Sequence, residues 1–176
     1  LLPGAVERQT ILETVPVALR QEDGMISQVA EFYLRTGDGD RALAELRRLP
    51  RDFFEDGWDW RPKGYLAGYA HQIAGRPAAA QSEWKQALAV VEKRLVAEPR
   101  NESLLYWQCV LQALTGQVAA AREGRKVLNE LSVESVRQDS GWFDAILLVA
   151  LGDHEAAIDL MVKRWPTMGR VRMDLW

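Results

Sequence analysis

The feature that most constrains this chain is a glycine followed five residues later by an alanine, a pair that occurs at Gly37/Ala42, Gly75/Ala80, Gly116/Ala121 and Gly152/Ala157. The glycines are spaced 38, 41 and 36 residues apart, inside the window of roughly 20 to 50 residues that marks a stacked helical repeat. An alanine-rich chain yields some such pairs by chance, so the flanks must agree. They do: each glycine closes an apolar-periodic stretch, ending Tyr33-Leu34-Arg35-Thr36, His71-Gln72-Ile73-Ala74, Gln112-Ala113-Leu114-Thr115 and Leu148-Val149-Ala150-Leu151. A glycine can take positive φ at a helix end without the steric cost that a Cβ imposes. An alanine five residues on has a side chain small enough for two helix backbones to approach closely. The unit is therefore helix, tight turn, helix.

Apolar residues recur at spacings of three and four through Val29 to Leu49, Tyr65 to Val96, Leu104 to Leu131 and Phe143 to Trp165, with no sustained two-residue alternation. The pattern predicts helix throughout. Prolines fall at predicted helix edges: Pro50 after a helix, Pro62 near the start of one, Pro77 after the Gly75 turn, Pro99 and Pro166 beyond helix ends. Residues 1–24 carry a further apolar pattern (Val6, Ile11, Leu12, Val15, Val17, Leu19), interrupted by Pro16 and ended by Asp23-Gly24, which predicts a helix packed on the first repeat. The run from Asp52 to Trp60 mixes acids and aromatics between two helical units. It reads either as a contact loop or as a connector that its rings pin down while its carboxylates stay in water.

The bulk numbers exclude several classes of function. An apolar share of 48% with 27% charged residues is the composition of a folded domain. The net charge of −3 comes from 22 basic and 25 acidic residues interspersed along the chain, which form no patch to draw a phosphate backbone or an anionic membrane. Nucleic acid and membrane are thus not expected as direct partners, and no apolar run approaches the roughly 18 to 20 residues that cross a bilayer. The single cysteine, Cys109, lies in an apolar helical stretch where a small buried side chain fits. Enzyme chemistry is not expected either. His71 and His154 are the only histidines and stand far apart, giving neither a nucleophile with its base nor zinc-ligand spacing. The acidic residues do not follow the calcium-hand loop, and Gly37-Asp38-Gly39 lacks the rest of a nucleotide-binding loop. No cofactor is implied. Asn101-Glu102-Ser103 fits a glycosylation sequon and also the capped start of a helix, the reading favoured here.

The repeats resemble the tetratricopeptide repeat family. In the second, Ala67-Gly68 stands where the family has a Leu-Gly pair, followed by the Gly75 turn, Ala80, the aromatic Trp84, Ala87 and, after an extended helix, Pro99. The first offers Val29-Ala30, Tyr33, Ala42 and Leu46, and the last Ala145, Leu148, Ala157 and Met161. The third departs most, with Gln108-Cys109 at the small-residue pair, Gln112 at the aromatic site and Arg125 where a second aromatic is expected. The resemblance covers Ser27 to Trp165. It implies an all-α fold, a right-handed α-solenoid of about four tetratricopeptide-like helix pairs plus an N-terminal helix. The expected divisions of a single 1–176 domain are an N-terminal helix at 1–24, repeats at 25–50, 60–99, 102–131 and 140–165, and a C-terminal extension at 166–176. The abrupt ends read as those of a piece of a longer polypeptide. In texture the chain looks like the repeat regions of bacterial multidomain regulators of the winged-helix, cyclase or TolB-like kind, which implies a cytoplasmic setting.

The family receives extended or helical peptides on the concave side formed by the first helix of each pair. Carried over residue by residue, that face holds Tyr65, Tyr69 and Gln72 from the second repeat, Tyr106 and Val110 from the third, and Trp142 and Ile146 from the fourth. A protein or peptide partner is the expectation, because Tyr and Trp give large contact area at low rotamer cost. The same rings could instead pack between neighbouring first helices. Trp84, on a second helix between Ala80 and Ala87, is expected in the interhelix core. The alternative function is a structural spacer or a self-association domain, with a homodimer formed through repeat ends.

Overall fold

The computed structural model describes residues 14, 16, 19, 22–56, 59–131 and 141–168, with the backbone alone at 56, 59, 141, 142 and 164–168. Among them are eight helices and one two-stranded hairpin: α1 (Asp23–Arg35), α2 (Gly39–Leu46), β1 (Phe53–Asp56), β2 (Asp59–Pro62), α3 (Lys63–Ile73), α4 (Pro77–Ala97), α5 (Glu102–Leu114), α6 (Val118–Leu131), α7 (Gly141–Ala150) and α8 (His154–Met168). The fold is mostly helical. No helix among these residues is long and apolar enough to cross a membrane.

Four tight turns, one at each Gly/Ala pair, join α1 to α2, α3 to α4, α5 to α6 and α7 to α8. Gly37, Gly75, Gly116 and Gly152 have φ of 81°, 72°, 86° and 80°. Each turn closes with the same two main-chain bonds. The glycine N–H donates to the carbonyl three residues back, and the next N–H donates to the carbonyl five residues back, as in Asp38 N to Tyr33 O at 2.8 Å and Gln117 N to Gln112 O at 2.7 Å. These bonds satisfy carbonyls that a helix end otherwise leaves orphaned. The alanines behave as expected: Ala42, Ala80, Ala121 and Ala157 are all buried. Each also donates its N–H to the residue just after the glycine, opening the second helix. Side-chain caps assist two starts, Asp38 accepting from Arg41 N and Asn101 accepting from Leu104 N. The sequon at Asn101 thus contains a helix cap.

Small residues set the distance between paired helices. In α5/α6, the Cys109 Sγ fills the space over Gly124, where a Cβ would come within 2.6 Å of it. In α3/α4, Gly64 lies against Ala87 and Gly68 against the Trp84 indole. Trp84 is buried between the pair, as its sequence context predicts.

By internal packing the chain divides into two compact units, Leu1–Lys93 and Arg94–Trp176, with the division inside α4. In the first unit, α1 packs on α2, α3 and β1, while α3 packs on α2 and β2. Its core includes Ile26, Ala30, Leu46, Phe53, Phe54, Ala70 and Trp84. In the second unit, α5 packs on α6 and α7, and α7 packs on α8, around Leu104, Trp107, Val110, Leu111 and Leu147.

Three expectations need correction. The stretch from Asp52, read as a contact loop or connector between helical units in a chain with no expected strand, forms an antiparallel hairpin, Phe53 facing Pro62 and Asp56 facing Asp59. Aromatic residues favour the pleated backbone, and the two residues between the paired Asp56 and Asp59 begin with a glycine, which a two-residue hairpin loop favours at its first position. Asp23 and Gly24, expected to end a preceding helix, are instead the first residues of α1. The rest of the helix expected over 1–24 lies largely outside the described residues. Finally, α8 runs through Pro166 to Met168 rather than stopping before it, at the cost of the helical bond that a proline nitrogen cannot donate.

Candidate functional site

The first unit contains a polar cluster built on the hairpin. β2 carries Arg61 to α1, where Ser27 and Glu31 stand one turn apart on a single face. Arg61 Nη2 donates to Ser27 Oγ and to Glu31 Oε1, and Arg35 Nη2 donates to Glu31 Oε2 at 2.6 Å. The Arg61 guanidinium also lies 5.6 Å from the centre of the Phe54 ring. Burial on its own raises the affinity of the Glu31 carboxyl for its proton. The charge and hydrogen bond of Arg61, with those of Arg35, outweigh it and hold the group below the ordinary carboxylate range. Lys63, at the start of α3, donates from Nζ to Leu49 O at 2.9 Å, tying the end of the hairpin to the segment after α2.

Beside this cluster, α3 presents an aromatic column. The Tyr65 and Tyr69 rings meet edge to face at 5.1 Å, and Tyr69 meets Trp84 edge to face at 5.4 Å. The Tyr65 and Tyr69 hydroxyls are hydrogen-bonded to each other, and burial pushes both phenols up from their usual value. Of the three residues of α3 expected on a groove, Tyr65 is buried at 9% exposure, Tyr69 is half-buried and Gln72 is exposed. Tyr65 is thus a packing residue, its phenol beside the charges of Arg61 and Glu31.

In the second unit, Val110 is completely enclosed and belongs to the core, not to a surface. The cause is the composition of α5, in which Leu104, Trp107, Cys109, Val110, Leu111 and Ala113 are all buried. Tyr106 is half-buried on the same helix, its ring edge to face with Trp107 at 5.0 Å and with Phe143 of α7 at 5.2 Å. Ile146 is half-buried on α7. The side chain of Trp142 lies outside the described residues. Phe143, which the sequence reading passed over, is 39% exposed. The second unit therefore brings Tyr106 and Phe143 together on two adjacent first helices. Tyr65, Tyr69 and Gln72 form a separate stripe in the first unit.

Of the two histidines, His154 begins α8 and is exposed. His71 Nε2 lies 3.9 Å from Glu83 Oε1, and its Nδ1 is enclosed without a hydrogen-bond partner. Among the described residues, no three His, Cys, Asp or Glu side chains gather to hold a metal ion. Chemically, the first unit holds a clamped ionic cluster and the second a partly exposed pair of aromatic rings. No family model matches this chain, and no match to it was found among curated proteins or solved structures.

Proposed function

We propose that this chain is a tetratricopeptide-like solenoid that works as an interaction module, receiving a protein or peptide segment on the aromatic face of its first helices. The Tyr106–Phe143 pair carries the reading: two rings from neighbouring first helices meet edge to face, and Phe143 keeps 39% of its surface open. Tyrosine is among the residues that dominate binding energy, and a rigid pair of rings costs little entropy to engage. Four identical Gly/Ala turns support the repeat assignment. The resemblance to repeat regions of bacterial multidomain regulators supports a place in a larger cytoplasmic regulatory protein.

The test is affinity capture from a bacterial lysate with the parent and with Tyr106→Ala/Phe143→Ala, once both melt cooperatively. A partner retained by the parent and lost by the variant supports the reading. Capture that is equal for both, or a variant that loses most of its stability, moves the pair to a packing role and favours the structural-spacer alternative.

A further inference from the structure

Beyond the aromatic face, and independently of it, we propose that the outer face of α8 is a self-association surface whose occupant is a second copy of this chain, docked antiparallel. Among the described residues α8 packs on α7, burying Ala157. On another side Ile158 and Val162, one turn apart, keep 62% and 68% of their surface open. Such a pair of large aliphatic groups side by side on one helix leaves an apolar row for a partner to cover.

The charges beside that row select the partner. Glu155, Asp159 and Lys163, all exposed, stand at successive four-residue steps and so form a second row alongside the first. Its two carboxylates lie towards the N-terminus and its ammonium towards the C-terminus. In a parallel copy the two rows would lie on opposite sides of the seam and would not meet. In an antiparallel copy, Ile158 of each chain faces Val162 of the other. With a rise of about 1.5 Å per residue, Lys163 of one copy then falls level with Ala157 of the other, about 3 Å along the axis from both Glu155 and Asp159. The row is complementary to itself when reversed, which is the condition for a two-fold interface in which both halves are the same patch. One helix face supplies an interface at the small end of the specific range, below about 1,200 Å² in total. The dimer is therefore weak and concentration-dependent.

Sedimentation equilibrium over a concentration series tests this. The parent is expected to move from monomer to dimer mass as concentration rises, while Ile158→Glu/Val162→Glu stays monomeric with an unchanged helical spectrum. Lys163→Glu should raise the dissociation constant by about tenfold. The triple variant Glu155→Lys/Asp159→Lys/Lys163→Glu, which reverses the whole row, should restore it. A parent that stays monomeric throughout overturns the proposal and assigns the face to another partner. So does a dimer indifferent to the apolar substitutions, or a triple variant no tighter than Lys163→Glu. Because Tyr106 and Phe143 take no part, loss of the aromatic reading leaves this outcome unchanged.

Discussion

Trp84 occupies the space that Gly68 leaves by having no side chain: a Cβ on Gly68 would lie 2.0 Å from the indole Nε1. The same nitrogen donates to the carbonyl of Tyr65, 3.2 Å away and three residues earlier on α3. One glycine therefore fixes both how closely α3 and α4 approach and where the indole N–H finds its acceptor. A buried N–H without a partner is costly, so the contact and the hydrogen bond stand or fall together.

Gly68→Ala should accordingly cost about 3 kcal/mol, at the upper end of ordinary overpacking, because the helices must separate or the indole must leave its acceptor. Denaturant unfolding followed by tryptophan fluorescence measures the loss. A cost under about 1 kcal/mol would show that the α3/α4 pair can relax around a methyl group.

Gly116→Ala isolates the other role of glycine. At φ of 86° with nothing within 4 Å of an added Cβ, the substitution meets no clash and pays only for left-handed backbone. The expected loss is about 1 to 2 kcal/mol. Gly116→Asn should lose less, since asparagine tolerates that region better. Equal losses for the two variants would point to a cause other than backbone conformation.

The Arg61–Glu31 pair gives the stability of the first unit an acid limb. The Glu31 carboxyl is held below its ordinary range in the folded chain. Its stabilising contribution is therefore complete above the unfolded value near 4.5 and drains away as pH falls through the lower folded value. Glu31→Gln should flatten the melting temperature against pH in that acid window. It should also cost about 2 kcal/mol at neutral pH, less than a fully buried pair, since Glu31 keeps 21% of its side-chain surface. An acid limb that is unchanged in Glu31→Gln would assign it to other carboxylates.

Cys109 should resist thiol reagents in the folded chain. Burial against Gly124 pushes its thiol up to about 11, so little thiolate is present at pH 8. Iodoacetamide labelling should run at least about a hundredfold slower than in denaturant, where the thiol returns to its ordinary value. Rapid native labelling would mean that α5 and α6 separate readily.

What could be read in the sequence follows from how local each signal is. The turns were legible because glycine at positive φ and alanine five residues on are local requirements of one backbone motif, and Gly37, Gly75, Gly116 and Gly152 all meet them. The hairpin was not, because Phe53 and Phe54 are both buried and the strand shows no alternation. The partners of Arg61 lie 34 and 30 residues away, at Ser27 and Glu31, and nothing near Arg61 in the sequence points to them. On α7 the sequence pattern points to Trp142 for the groove, whereas the ring that meets Tyr106 is that of Phe143. One residue along a helix is a turn of about 100°, and the almost uninterrupted apolar run Trp142 to Leu151 sets no phase.

The four closures of the turns use main-chain groups alone, so each asks the sequence for a glycine and a small residue five positions on and leaves the positions between them free to vary. Architecture of this kind is insulated from mutation. Drift in the side chains can carry a chain beyond detectable kinship while its bends, written in peptide geometry, hold their places.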